Sequence, residues 1–184
     1  MPDFSVSVIS TSPSVFLENL DNFRSGPIKR IHVDVMDGQF VPRLGMYPEF
    51  VAEIRNRTDL PIDIHLMTFK PEQFLTIFAR AGATRIVPHF EATNHPHHLV
   101  AQIRELGMEA GIALNPHTRI ESLEYLLPDI DAVTLMAINP GIIGHKIIGQ
   151  TIKKLFETKS FLESRNFKGE LEICLLYTSD AADE

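Results

Sequence analysis

His32 and Asp34 stand two residues apart in IHVDVM (31–36), and His65 occupies a similar place in IDIHLM (62–67). In both runs, polar residues alternate with β-branched or other apolar ones. Alternate side chains of a strand share a face. Ile31, Val33 and Val35 would therefore turn one way, and His32, Asp34 and Met36 the other. Two imidazoles and a carboxylate suit zinc, and also iron, manganese or cobalt. Three protein ligands leave a coordination position open, as catalytic sites do. Hydrogen-bonded core histidines and an ion-paired aspartate would use the same residue types. His-x-Asp together with a second histidine on an adjacent strand favours the metal.

Met36, Met67 and Met136 fall at equivalent depths on three strands. A methionine at a strand end commonly fills core space; three together suggest a soft apolar floor beneath a ligand. Asp63 precedes His65 on its strand, His89 and Glu91 end the fourth, and Asn115-Pro116 ends the fifth. NPGIIGHK (139–146) reads as a loop before a helix. Gly141 and Gly144 would free backbone N–H groups there for a phosphate. Read alone, the loop is only a turn signal.

The elements that must position these residues alternate. Strands are expected at 6–10, 31–36, 62–67, 85–91, 110–115, 131–139 and from 169. Helices are expected at about 12–23, 47–57, 70–82, 95–107 and 148–165. Ser12 before Pro13 starts the first helix, and Gly82 closes the third. Thr118 with Glu121 suggests a capping box for a short helix. Alternation of this kind implies parallel pairing and right-handed crossovers. No glycine-rich dinucleotide fingerprint follows the first strand, so a Rossmann fold is disfavoured. The expected fold is an α/β barrel of the TIM type. Such barrels typically need about 250 residues, and this chain has 184.

A formal net charge of −7 gives no sign of nucleic-acid or anionic-membrane binding. No apolar run is long enough to span a bilayer, and MPDFSVSVIS lacks the marks of a signal peptide. A cytoplasmic location is expected. A single cysteine excludes an internal disulfide framework. It opens the terminal string CLLYTSDAADE, which resembles a translated transposon-end sequencing adapter. A barrel domain cut short after strand seven is therefore expected over 1–173, with a non-native tail over 174–184.

HVDVMDGQFVP, DIHLM, RAGA, HFEA, GIALNP and LMAINPG occur in that order. Together they resemble the ribulose-phosphate 3-epimerase family, which includes the allulose-6-phosphate 3-epimerases, over nearly all of 5–173. The resemblance implies a TIM barrel that interconverts D-ribulose 5-phosphate and D-xylulose 5-phosphate. A proton is moved at C3, beside the C2 ketone, through an enediolate. The resemblance makes His32, Asp34 and His65 ligands of a divalent metal, with Asp34 also an acid/base. Ser7 and His65 would contact substrate, and Met36, Met67 and Met136 would lie near the enediolate. Gly141, Ile142, Ile143 and Gly144 would form part of a phosphate grip. The partner is then a small ketose phosphate, and the full-length parent a homo-oligomer.

Two departures qualify the resemblance. The family's fourth ligand and second acid/base is an aspartate of a DGG-type motif on strand seven, and it is absent after GELEI. The family's loop resembles NPGFGGQ, whereas Ile143 here replaces a small residue where backbone approaches phosphate. The chain itself is thus expected to be inactive. Allulose 6-phosphate epimerisation is the rival within the class. Non-catalytic phosphosugar binding is the rival outside it, and an intact Asp34 argues against that.

Overall fold

The computed structural model describes residues 3–142 and 146–175. Its strands are β1 (Phe4–Ser7), β2 (Ile28–Met36), β3 (Ile62–Met67), β4 (Arg85–Pro88), β5 (Glu109–Leu114), β6 (Ala132–Met136) and β7 (Glu170–Cys174). They form one seven-stranded sheet in sequence order. Every neighbouring pair is parallel. Helices α1 (Pro13–Glu18), α2 (Leu20–Ser25), α3 (Pro48–Arg55), α4 (Leu75–Ala81), α5 (Pro96–Glu105) and α6 (Gly149–Ser164) lie between strands. Sequential parallel strands joined through helices are the arrangement of a (β/α)8 barrel. Among the described residues, β1 and β7 are the sheet's two edges.

The expected first helix is broken at Asn19, which leaves helical geometry (φ −96°, ψ 3°) between α1 and α2. The Asn19 side-chain amide donates to the Val15 carbonyl instead. This is the local competition that makes asparagine a poor interior helix residue. Gly82 does end α4, at φ +95°. A side chain there would be strained in the left-handed region and would also meet Arg55. The Thr118–Glu121 capping box does not form. Residues Ile120–Leu123 make a 3-10 turn with no side-chain cap. The Thr118 hydroxyl donates to the Glu91 carboxylate, and Glu121 pairs with Arg119. A half-buried carboxylate acceptor outcompetes an exposed cap.

The two faces of β2 and β3 separate as their alternation requires. Ile31, Val33 and Val35 stand beside Ile62, Ile64 and Leu66 in register. All six are buried, in one core with Phe16, Phe50, Ile54 and Phe78 from the helices. The opposite face points into the barrel and pairs His32 with Asp63, Asp34 with His65, and Met36 with Met67. Hydrocarbon thus holds the sheet against its helices, which frees the barrel interior for polar groups.

That interior is layered. The lower layer is ionic. Arg85, with a wholly buried side chain, pairs with Asp63, Glu170 and Glu172. Arg30 adds Asp63 at 3.1 Å and Glu109 at 3.2 Å. Asp63 therefore belongs to this cluster, below the strand ends. Three carboxylates compete for the Arg85 guanidinium. Burial and the Glu172 charge keep the Asp63 carboxyl above its ordinary value in spite of both arginines.

Candidate metal centre

The upper layer gathers at the C-terminal ends of β1, β2, β3 and β7. Asp34 is its centre. One carboxylate oxygen, Oδ1, lies 3.2 Å from His32 Nε2 and 2.9 Å from His65 Nδ1. The other, Oδ2, accepts a 3.0 Å hydrogen bond from the Ser7 hydroxyl. Donor atoms of His32, Asp34, His65 and Cys174 all lie within 4.8 Å of one another. Two imidazoles, a carboxylate and a thiol fit a divalent cation. Ligands drawn from strands are held by ladder hydrogen bonds and by the core behind them, which keeps such a cluster preorganised.

Their charges are strongly coupled. Burial alone would make Asp34 harder to ionise, but His32 and His65 hold its carboxyl far below the carboxylate range. Burial opposes charge on both imidazoles as well. The Asp34 charge and hydrogen bond nevertheless raise His32 well above the histidine range. Hydrogen bonds with Asp34 and Cys174 bring His65 up to about 9. The Cys174 thiol, which burial would raise, is brought down to about 7 by hydrogen bonds with His32 and His65.

Beside these donors lies a cavity of about 630 Å³, open between β1 and β7 and lined by Ser7, His32, Asp34, Met36, Met67 and Met136 among others. Met36 and Met67 pack with Val41 in a small apolar cluster of their own. Gly141 also borders the cavity. It has φ +73°, and an added Cβ would come within 2.5 Å of Val41. The loop after β6 can press onto the loop after β2 only with glycine at this position. Ile142 is half-buried. Ile143 and Gly144 lie outside the described residues, as does the terminal string from 176 onward. The Asp37 carboxylate accepts from the backbone N–H groups of Gln39, Phe40 and Phe69. It ties the loop after β2 to the end of β3.

Three residues near this centre carry no role in the sequence reading. Cys174 completes the donor cluster from β7. Arg43 borders the cavity, and its buried Nη1 has no hydrogen-bond partner among the described residues. His89 is fully buried, with Nε2 3.0 Å from His65 Nε2. Period-two counting along RIVPHFE was the available signal for His89, since Arg85, Val87 and His89 must share the interior face.

The chain matches the Ribulose-phosphate 3 epimerase family over residues 3–174. It is 38% identical over 162 residues to the ribulose-phosphate 3-epimerase of Bacillus subtilis (strain 168), covering 88% of this chain and 75% of that protein. It is 38% identical over 180 residues to the chloroplastic ribulose-5-phosphate-3-epimerase of Arabidopsis thaliana, covering 92% of this chain but 64% of that one. Among solved structures it resembles mutant tryptophan synthase α-subunits of Pyrococcus furiosus, with TM-scores of 0.59 and 0.62. Both are 15% identical, covering 92% of this chain and 85% of theirs, a likeness of fold alone. No helix among the described residues is long and apolar enough to cross a membrane.

Proposed function

We propose, for a chain that belongs to the ribulose-phosphate 3-epimerase family, that the protein it represents inverts C3 of D-ribulose 5-phosphate to give D-xylulose 5-phosphate, and the reverse. The observation that carries this reading is the division of labour within Asp34. Oδ1 is occupied by the two imidazoles, while Oδ2 holds only the Ser7 hydroxyl beside the cavity. One carboxylate can thus help hold a cation through one oxygen and take a proton through the other.

His32, Asp34 and His65 would hold the ion, joined in this chain by Cys174. When bound, a divalent cation supplies a Lewis acid for the C2 ketone oxygen and for the charge that develops there. Zinc is the ion we assign, because two imidazoles and a carboxylate suit it; iron, manganese and cobalt are the alternatives. Asp34 Oδ2 removes the C3 proton on one face of the substrate. Ser7 orients that oxygen. Met36, Met67 and Met136 wall the cavity and keep water from the carbanionic carbon. Inversion requires a second acid on the opposite face. Family resemblance assigns that to an aspartate of strand seven, and position 174 is where β7 meets the other donors. We also propose that the string from 174 is not native, and that the parent is a cytoplasmic homo-oligomer, on family membership.

The test is turnover of D-ribulose 5-phosphate and of D-allulose 6-phosphate by the protein at the full length of its relatives, with metal content measured. Faster pentose turnover supports the proposal, and faster hexose turnover moves it to the rival substrate. Tight binding without C3 exchange into deuterated water would replace catalysis by binding.

Protonation fixes how metal uptake depends on pH. A cation must displace the proton that His65 holds up to about 9, and that of His32 as well. Affinity should therefore rise with pH, by at least about tenfold per unit between about pH 6 and 8. Chelator competition across that range measures it, and a flat profile would contradict the assigned ligands.

A further inference from the structure

His65 offers Nδ1 to the donor cluster, and its other nitrogen, Nε2, faces a second buried histidine. His89 Nε2 lies 3.0 Å away. His89 Nδ1 in turn lies 3.2 Å from Glu91 Oε2. Glu91 Oε1 accepts from the Asn115 backbone N–H at 2.9 Å and from the Thr118 hydroxyl. The Phe40 ring stands 4.9 Å from the His89 ring and fixes its plane.

Proton counting along this line has one consistent solution. A carboxylate only accepts, so the His89 proton sits on Nδ1 and points at Glu91. His89 Nε2 is then a lone pair. It must accept from His65, which puts the His65 proton on Nε2. His65 Nδ1 faces the Asp34 carboxylate, so in the metal-free protein it carries a proton too; a bound cation takes the place of that proton, and Nε2–H stays. Metal-bound histidines are commonly oriented by a partner on their other nitrogen. Here the partner is itself a histidine, and the chain of orientation runs through two rings to a carboxylate anchored on the loop after β5.

We propose that Glu91 and His89 are positioning residues, which set the tautomer and ring orientation of His65 for cation binding. The proposal rests on the metal-centre reading above. Neither residue reaches the substrate, and both act through His65. It also gives the Thr118 hydroxyl a use: with the Asn115 N–H it fills one Glu91 oxygen and leaves the other for His89.

The experiment uses the 184-residue chain, zinc(II) with a chromophoric chelator, and long-range ¹⁵N–¹H NMR of the histidine rings. In the zinc-loaded protein, NMR should show His65 protonated on Nε2 and His89 on Nδ1. His89→Leu should weaken zinc binding about 10–100-fold. His89→Gln should recover most of that loss, because its amide oxygen can accept from His65 Nε2–H. Recovery by glutamine separates positioning from mere space-filling, since leucine fills the cavity as well. Glu91→Gln should shift the His89 tautomer signals and weaken zinc binding, with the fold retained by circular dichroism. Unchanged zinc affinity in His89→Leu, or His89 protonated on Nε2, would overturn the relay and leave the metal centre standing. An unmodified chain without zinc affinity would overturn the metal centre and the relay with it.

Discussion

Asp34→Asn is expected to abolish both cation binding and proton transfer at C3. Asparagine keeps the shape of the side chain but loses the charge that holds His32 and His65 protonated in the metal-free protein. It also loses the basic oxygen that Ser7 orients. A missing general base typically costs about a hundred- to ten-thousand-fold, and weakened cation binding adds to that. Zinc retention can be measured on the chain itself, and C3 exchange and turnover on the protein at its relatives' length. Met67→Leu sets the scale for comparison. Met67 packs against Met36 and Val41, and leucine keeps its volume, so the cost should stay below about 1.5 kcal/mol. A metal-loaded Asp34→Asn protein that epimerises at the parent rate would remove Asp34 from the mechanism.

Arg85→Leu should be the most destabilising substitution of a residue outside the metal centre. Arg85 is fully buried and ends among Asp63, Glu170 and Glu172. Leucine would leave Asp63, which is only 2% exposed, with Arg30 as its one remaining ion-pair partner among the described residues. Removing one member of a buried ion pair typically costs about 3–5 kcal/mol, because the remaining charge stays desolvated. That is a large share of an ordinary domain's stability. Replacing Arg85 and Asp63 together by leucines should cost less than Arg85→Leu alone. Urea unfolding of the single and double variants decides this. A loss below about 1 kcal/mol for Arg85→Leu would mean that the cluster behaves like an exposed ion pair.

The barrel was legible in the sequence because its signals are local. The alternation in IHVDVM and IDIHLM is a property of six residues. The structure adds only that the two runs lie in register, so that Asp34 meets His65. Gly82 was legible for the same reason, since a left-handed helix end needs glycine whatever surrounds it. Thr118 was misread because its hydroxyl can either accept from a backbone N–H as a cap or donate to a carboxylate, and only the folded chain brings Glu91 within reach. Arg85 was invisible as a buried cation because two of its three carboxylate partners, Glu170 and Glu172, come from a strand 85 and 87 residues further along the chain. His89 carried a readable periodicity, but the nitrogen that contacts His65 depends on ring orientation, which no spacing encodes. Cys174 was set aside with the terminal string, and only the β6–β7 register brings it opposite Met136 and toward the donors.

The sequential order of the strands has a consequence for how the centre assembles. Asp34 and His65 are 31 residues apart, whereas the ion pair from Arg85 to Glu172 spans 87. Closing the longer loop costs roughly 1 kcal/mol more in chain entropy, and contacts of long span form late in folding. Three of the four donors therefore meet across a single βα crossover, as soon as β2 and β3 pair. The donor from β7 arrives last, together with the carboxylates that neutralise Arg85. The strand that brings the final donor also completes the ionic floor beneath it, so the fourth candidate ligand and the last two carboxylates around Arg85 come from one element.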